Sequence, residues 1–585
     1  MNKSRFVGSN ARPCSRPAGA AILAAAAAIP LLAQWTQATP VTWAGATELN
    51  GTLTPVTGGW TYSGTTPLEV GDAIEAQTLS TGSTGLANNA LYYVTADNSG
   101  TYTFSASAGG ATPVSGSTGT VGTLGVYSWN ATAASGVQNG ASWTGAVVPN
   151  GTDAVATIST NTGNTANSLN IAIQQNVTIG TLTSTQNKQW SVISSNLGTS
   201  TALATLTFST TNTLTPSGPV ISSTNALLRL GFSDASFHNG NLDIAGTQGL
   251  TLIAGTEGDP IRLENIGWTG FTNGGSGMGT LTIQQGQIQA ETSNVLGSGT
   301  GALNVMMGNA SSTGTTTATN EPELQVATGT VSVNNLDGIA NSLIDSNGAY
   351  TLTIGTGGGT NTGYAGTFGG VSQTLSLIKA GIGTQILSGS IVGAGTVTVS
   401  GGTLILNGTN SYTGLTTVSN TGTLGGTGTI TGSVTIATGA TLQPGVLAGD
   451  NTLTTGAVSF GSGTNYFSLA LNSTNDTTDM LLANGAVTLG TGTTLSVTDA
   501  DINPSLASGT SFVILDATGG LTGTFTGMPN GSTLDVDSND YTVNYSADEV
   551  TLTSFVPEPS SLSLLSLGAC SLLTRRRRRR TRQTL

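Results

Sequence analysis

"GTVTVSGGTLILNG", residues 395–408, alternates apolar side chains with threonine or another partner and closes each run with glycine. A strand sends successive side chains to opposite faces, so a period of two over a few residues marks a strand with one buried face. Thr and Val suit a pleated surface, while Gly and Asn take the corners. The unit recurs in both directions. Upstream stand "VTIGTLT" from Val177, "GTLTIQQG" from Gly279, "GTVSVNN" from Gly329 and "YTLTIGTG" from Tyr350; downstream stand "GSVTIATG" from Gly432 and "GAVTLGTG" from Gly485. Corners fall roughly every seven to twelve residues, so the strands are short and numerous. Helical periodicity is confined to the termini. Sandwiches in series and a β-solenoid both satisfy this pattern; the unbroken run of similar units favours the solenoid.

Composition agrees. Of 585 residues 7% are charged and 37% apolar, with 84 glycines, whereas a disordered chain pairs few apolar residues with many charges. Both ends read as processing segments. Lys3, Arg5, Arg12 and Arg16 precede an apolar stretch, residues 18–32, and then "TQA" before Thr39. That order is a secretory signal peptide over residues 1–38. Cys14 lies in it and Cys570 near the other end, so the span between offers no disulfide framework or zinc cluster. Without the two ends, four basic residues remain, Lys188, Arg229, Arg262 and Lys379, against 27 acids, a net charge of about −23. Such a surface repels nucleic acid and attracts divalent cations diffusely.

The other end, residues 556–580, is "VPEPSSLSLLSLGACSLLTRRRRRR". Pro557 and Pro559 isolate the downstream segment from the body. The apolar run, residues 560–574, reaches only about 22 Å as a helix. Arg575, Arg576, Arg577, Arg578, Arg579 and Arg580 would hold its end on the cytoplasmic side. Physics alone reads a short membrane anchor. Val556-Pro557-Glu558-Pro559, the apolar run and the arginines, in that order, resemble the PEP-CTERM sorting signal. The resemblance implies an exosortase-type processing enzyme as partner, cleavage near the Pro-Glu-Pro motif, and transient membrane attachment on the way to the cell surface, outer envelope or extracellular polysaccharide matrix.

A second resemblance covers residues 376–445 and continues to about residue 534. Lys379-Ala380-Gly381, Leu406-Asn407-Gly408-Thr409-Asn410-Ser411-Tyr412-Thr413-Gly414 and Gly439-Ala440-Thr441-Leu442-Gln443-Pro444-Gly445 are similar to the autotransporter-associated β-strand repeat of bacterial passenger domains. The likeness implies a right-handed parallel β-helix at the cell surface. The outer-membrane barrel of true autotransporters has no counterpart after Gly531, which speaks against self-translocation. Near the other end, "LYYVTADNSGTYTFSASAGG" from Leu91 reads as two aromatic-bearing strands about the turn Asp97-Asn98-Ser99-Gly100. The expected organisation is a signal peptide (1–38), a β-hairpin or cap module (39–125), a β-solenoid (126–375), the repeat region (376–555) and the sorting signal (556–585).

Titratable groups are scarce. His238 is the single histidine, so any triad or histidine metal site depends on it. "RLGFSDASFHNGNLD" places Arg229, Asp234, His238 and Asp243 close in sequence, either as a polar corner loop or as a polysaccharide-acting lyase or glycosidase site. "DVDSNDY" offers Asp535, Asp537, Asn539 and Asp540 like the start of a calcium loop, but has Asp540 where that loop needs glycine and Ser546 where it needs glutamate. Asp499 with Asp501 and Asp476 with Asp479 are similar pairs, and aspartates are common at strand corners. The expectation is therefore an exported structural or adhesive protein rather than an enzyme, with no cofactor beyond weak calcium binding, and an extracellular polysaccharide as a further partner.

Overall fold

The computed structural model describes most residues from Val41 to Phe555, all within one compact unit, Pro40–Leu585; the longer undescribed stretches inside that span are 80–90, 106–120, 130–149, 159–167, 195–204, 211–218 and 309–320. The signal-peptide and sorting-signal readings lie outside the described residues.

The chain is all-β and β-helix-like. One pass shows how. Thr403–Leu406 joins a first sheet, Thr409–Asn410 a second and Thr416–Val418 a third, and Thr423–Gly426 then returns to the first, parallel to Thr403–Leu406. The first face is a 16-stranded sheet running from Val41–Trp43 to Thr493–Asp499. The second is a nine-stranded sheet ending at Thr367–Phe368, joined through the bridge Phe368↔Ile391 and the Ser411 N–H···O=C Ile391 bond to an eight-stranded one that opens at Thr409–Asn410. The third position holds a four-stranded sheet from Val177–Ile179 to Ile266–Gly267, then a nine-stranded one from Thr330–Val333 to Leu521–Thr522.

Alternation dictates the packing. On the first face Leu404, Leu424, Leu442, Phe467 and Leu495 are successive partners and all are buried. Each such side chain contributes about 1.5–3 kcal/mol by leaving water. Between them, Thr384, Thr403, Thr423 and Thr441 stack in register on the half-exposed outer side. Glycine holds the corners because successive passes nearly touch there: a Cβ on Gly414 would stand 2.1 Å from the Gly395 carbonyl oxygen. Buried amides bridge irregular steps. Asn410 Oδ1 accepts the Ile391 N–H (3.0 Å) while its Nδ2 donates to Gly408 O (3.0 Å). Gln385 Nε2 donates to Leu336 O (2.8 Å) and its Oε1 accepts the Leu336 N–H (3.4 Å), spanning a place where, among the described residues, the first face is joined at Gly338↔Tyr364 alone.

Besides the short antiparallel pairs Phe232–Asp234/Phe237–Gly240 and Asn465–Asn472/Thr477–Thr478, two larger regions depart from parallel stacking. The expected turn does join Leu91–Asp97 to Thr101–Ser105, with Gly100 N–H on Asp97 Oδ1 at 2.8 Å, but this hairpin is part of something larger. Leu53–Val56, Gly59–Tyr62, Thr101–Ser105, Leu91–Asp97, Ala73–Leu79 and Val121–Val126 form an antiparallel sheet that closes on itself. Leu53, Trp60, Ile74, Val94 and Phe104 are buried in it, Trp60 lying edge-on to Phe104 at 6.4 Å. This closed sheet is an excursion from the opening pass: the chain first pairs Val41–Trp43 with Val155–Ile158 on the first face, and afterwards Ser128–Trp129 with Ser168–Ile173 on the second. At the far end Glu549–Phe555, Asn539–Tyr545 and Ser532–Val536 extend the second face antiparallel from Ser511–Ala517. Aromatic rings pack there, Phe525 stacking on Phe467 at 5.7 Å and lying 6.3 Å from Tyr545. The Tyr545 hydroxyl donates to Met528 O (2.9 Å) and accepts the Phe525 N–H (3.0 Å).

Candidate functional site

The residues singled out from sequence are distributed over separate elements. Arg229 lies on the second face in Leu228–Leu230, and Asp243 on the third in Leu242–Gly246, where its Oδ2 accepts the Thr205 hydroxyl at 3.0 Å. Asp234 and His238 fall between them in the hairpin Phe232–Asp234/Phe237–Gly240, of which only the backbone is described. Proximity in sequence therefore does not become convergence of Arg229 with Asp243.

"DVDSND" is a hairpin. Val536 pairs with Asn539 across Asp537 and Ser538, both with positive φ (49° and 78°), the two-residue turn that suits the twist of antiparallel strands. Asp535 faces Asp540 directly across it, and Asp537 Oδ2 accepts the Asp499 N–H at 3.0 Å. Asp499 in turn accepts the Ser473 hydroxyl and, at 3.1 Å, the Ser473 N–H. Beneath them the Tyr541 hydroxyl is pushed up to about 12, first by burial and then by Asp499 and the neighbouring aspartates. Among the described residues no three His, Cys, Asp or Glu side chains are grouped to hold a metal ion. Asp479, fully buried, is occupied by the backbone N–H groups of Ala470 and Asn451, both at 3.2 Å.

The most concentrated polar chemistry sits on the outer side of the second face. Arg229, Arg262, Gln289, Gln325 and Asp345 are successive strand partners, one per pass, with Gln287 and Glu323 forming a parallel column beside them. Their strand neighbours, Leu228, Ile261, Ile288, Leu324 and Ile344, point into the core, so the polar row points away from it. Two of the body's four basic residues are thus stacked on adjacent strands. Each is matched by an acid at the next corner, Arg229 Nε to Glu264 at 3.3 Å and Arg262 Nε to Glu291 at 3.4 Å. Beyond them amides take over. Gln289 Nε2 donates to Gln287 Oε1 (2.7 Å) and Gln325 Oε1 (3.0 Å), Gln287 Nε2 to Glu323 Oε1 (2.6 Å), and Gln373 Nε2 to Asp345 Oδ2 (3.0 Å). Although directed outward, Gln289, Gln325 and Asp345 are only 8–9% exposed. Gln289 Oε1 and Asp345 Oδ1 have no hydrogen-bond partner there. Of this row only Arg229 was singled out from sequence as a candidate site residue; the glutamine-rich run "TIQQGQIQAE", residues 282–291, signals Gln287 and Gln289 but not Gln325 or Asp345.

One interior cation stands apart. Lys379 is 1% exposed, its ammonium donating to the carbonyls of Ala380 (2.5 Å), Gly401 (3.3 Å) and Gly381 (3.4 Å). Burial draws its pKa down to about 8. No family model matches the chain, and no curated protein matches it.

Proposed function

We propose that this chain is an exported structural or adhesive surface protein, a right-handed parallel β-helix of the autotransporter-repeat kind carrying a PEP-CTERM sorting signal. One observation carries the reading: Val556-Pro557-Glu558-Pro559, an apolar run and six arginines come in that order on a repetitive β body, whose last described strand, Glu549–Phe555, stops at the residue before Val556. An exosortase-type enzyme reads the motif while the apolar run sits in the membrane with its arginines inside. After cleavage the body passes to the envelope or the polysaccharide matrix, as a chain with a removed lipid-anchor signal keeps no such helix. The body supplies repetitive stacked faces on which titratable groups are scarce, which suits a scaffold or adhesin better than a catalyst.

Glu558 is the motif's only charge, so Glu558→Ala should leave an uncleaved precursor in the inner membrane. Replacing the six arginines should instead lose the orientation that stalls the segment. Mass spectrometry of the mature C-terminus, in a host with an exosortase, checks both. An intact "RRRRRRTRQTL" tail on surface-located protein would overturn the proposal.

A further inference from the structure

We infer that the nine-stranded sheet of the third face binds ice, its outward column of hydroxyls serving as a template for a regular layer of water on a growing crystal. The inference goes beyond the surface-protein reading and does not depend on how the protein is delivered. Four observations lead to it.

The first is register. Thr398, Thr417, Thr435, Ser459, Thr488 and Thr522 are successive strand partners, so six passes in a row present one hydroxyl each at the same place. Their strand neighbours Val397, Val434, Val458 and Val487 are buried, which puts the hydroxyls on the outer side. Upstream the column continues through Ile378 to Thr353. The second is access. Thr398, Thr417 and Thr435 are half-exposed and Ser459, Thr488 and Thr522 exposed, and among the described residues none of the six hydroxyls bonds another protein group. They are open to water. The third is charge. The body carries 27 acids, yet on the nine strands of this sheet the one charged residue is Lys379, which points inward. A face without charge suits a neutral occupant. The fourth is spacing. Adjacent strands lie about 4.8 Å apart, and residues two apart along a strand about 6.6 Å. These intervals are comparable with those at which oxygen atoms repeat on a face of hexagonal ice. The residues flanking the column, Thr396, Leu415 and Ser433, carry only hydroxyl or alkyl groups.

The chemistry of threonine strengthens the match. Its branched side chain is stiff at χ1, so the hydroxyls keep their spacing before binding and lose little freedom on it. One hydroxyl–water bond is weak, but a solid that engages six at once sums them as a multivalent contact. A sugar ligand fits less well. Sites for such molecules are concave and lined by aromatic side chains, whereas the two aromatics of these strands, Tyr350 and Phe460, pack on the core side.

Nanolitre osmometry of the full-length protein in detergent, beside a detergent blank, tests this. The parent should give ice crystals facets and hold them at constant size over a measurable interval below their melting point. Thr417→Lys, in the middle of the column, should keep the solid off its neighbours. It should raise the protein concentration needed for the same interval about tenfold or more, with an unchanged unfolding temperature of the protein. Thr403→Lys, on the first face, should have no effect on ice. If the Thr417 variant does not fold, Thr435→Lys takes its place with the same expectation. Growth indistinguishable from the blank, equal activity in the parent and the column variant, or the same loss in Thr403→Lys overturns the inference. So does retention on crystalline cellulose or chitin that depends on Thr417 without any effect on ice, which would make the face a polymer-binding one.

Discussion

Between Thr384 and Thr441 the chain stacks near-identical passes, and between Arg229 and Asp345 it stacks unlike ones. In the downstream region the outer side of the first face repeats threonine in register, and glycine corners let successive carbonyls approach closely. Partners recur at short intervals: Asn420 Nδ2 donates to Ser400 O, 20 residues back, at 3.4 Å. In the upstream region Gln289 and Gln325 meet from 36 residues apart, and the outer row changes from cation to amide to carboxylate as it advances. Close backbone contact at glycine corners is common to both, since a Cβ on Gly231 would stand 1.7 Å from the Glu264 carbonyl oxygen; the outer rows are what differ. Uniform stacking suits rigidity. A varied row, buried although it is directed outward, has its side chains matched one to another.

The largest expected effect tests the glycine corners that the two regions share. Gly414→Val would force a Cβ to within 2.1 Å of the Gly395 carbonyl, a backbone atom that cannot swing aside. A loss of more than about 3 kcal/mol is expected, at or beyond the usual range for overpacking. Upstream, Gly301 has nothing within 4 Å of its would-be Cβ and no positive φ. Gly301→Ala should change stability by no more than about 1 kcal/mol, in the stabilising direction if at all. Equal losses in denaturant melts of the two variants would show that close approach of a carbonyl is not what makes a corner glycine irreplaceable.

How far this division is legible in the sequence depends on its physics. Alternation and glycine corners are local, so "GTVTVSGGTLILNG" announces strands and their buried faces without help. Which strand lies on which is not local. Passes of unequal length hide the fact that Arg229 stacks on Arg262 and that Gln289 reaches Gln325. The closed sheet near the N-terminus is hidden for the same reason. A period of two is the same in parallel and antiparallel strands, and Val121–Val126 pairs back to Ala73–Leu79 across a long interval. "DVDSNDY" misleads in the other direction, because alternating aspartates serve a hairpin turn as readily as a calcium loop. Lys379 reads as one scarce surface cation, and only its place in an alternating strand, on the side of Leu375 and Leu377, betrays that it points inward.

Lys379 gives the second prediction, at the boundary of the two regions. Its folded pKa of about 8 lies below the ordinary lysine value of 10.5, so between those values the unfolded chain binds more protons than the folded one. Stability should therefore rise with pH from about 8 toward 10.5, by an amount on the order of 3 kcal/mol when complete. Tyr364 and Tyr412 act oppositely. Burial raises both, so the unfolded chain loses its phenolic protons first and stability falls above pH 10. The lysine contribution is thus read between pH 8 and 10 from melting temperatures. Lys379→Met should abolish the rise there and leave the tyrosine decline intact. A rise of equal size in the variant would assign it elsewhere.

The smallest effect bears on the outer rows themselves. Thr423 stands between Thr403 and Thr441, half-exposed, and Ala in its place keeps every backbone bond while removing side-chain contacts with its two neighbours. Cross-strand pairs of this kind are worth about 0.2–1 kcal/mol, so Thr423→Ala should cost less than about 1 kcal/mol. Gln325 occupies the corresponding central place in the polar row, but its Oε1 accepts from Gln289 Nε2 in surroundings that leave it 9% exposed. Gln325→Ala takes one of the two acceptors from that amide, so a cost of about 1–3 kcal/mol is expected. The comparison rests on the difference between the two variants. If chemical denaturation gives both the same small loss, the polar row is as interchangeable as the threonine row, and the upstream face is one more uniform surface. If Gln325→Ala costs clearly more, the side chains of the polar row are specified one by one.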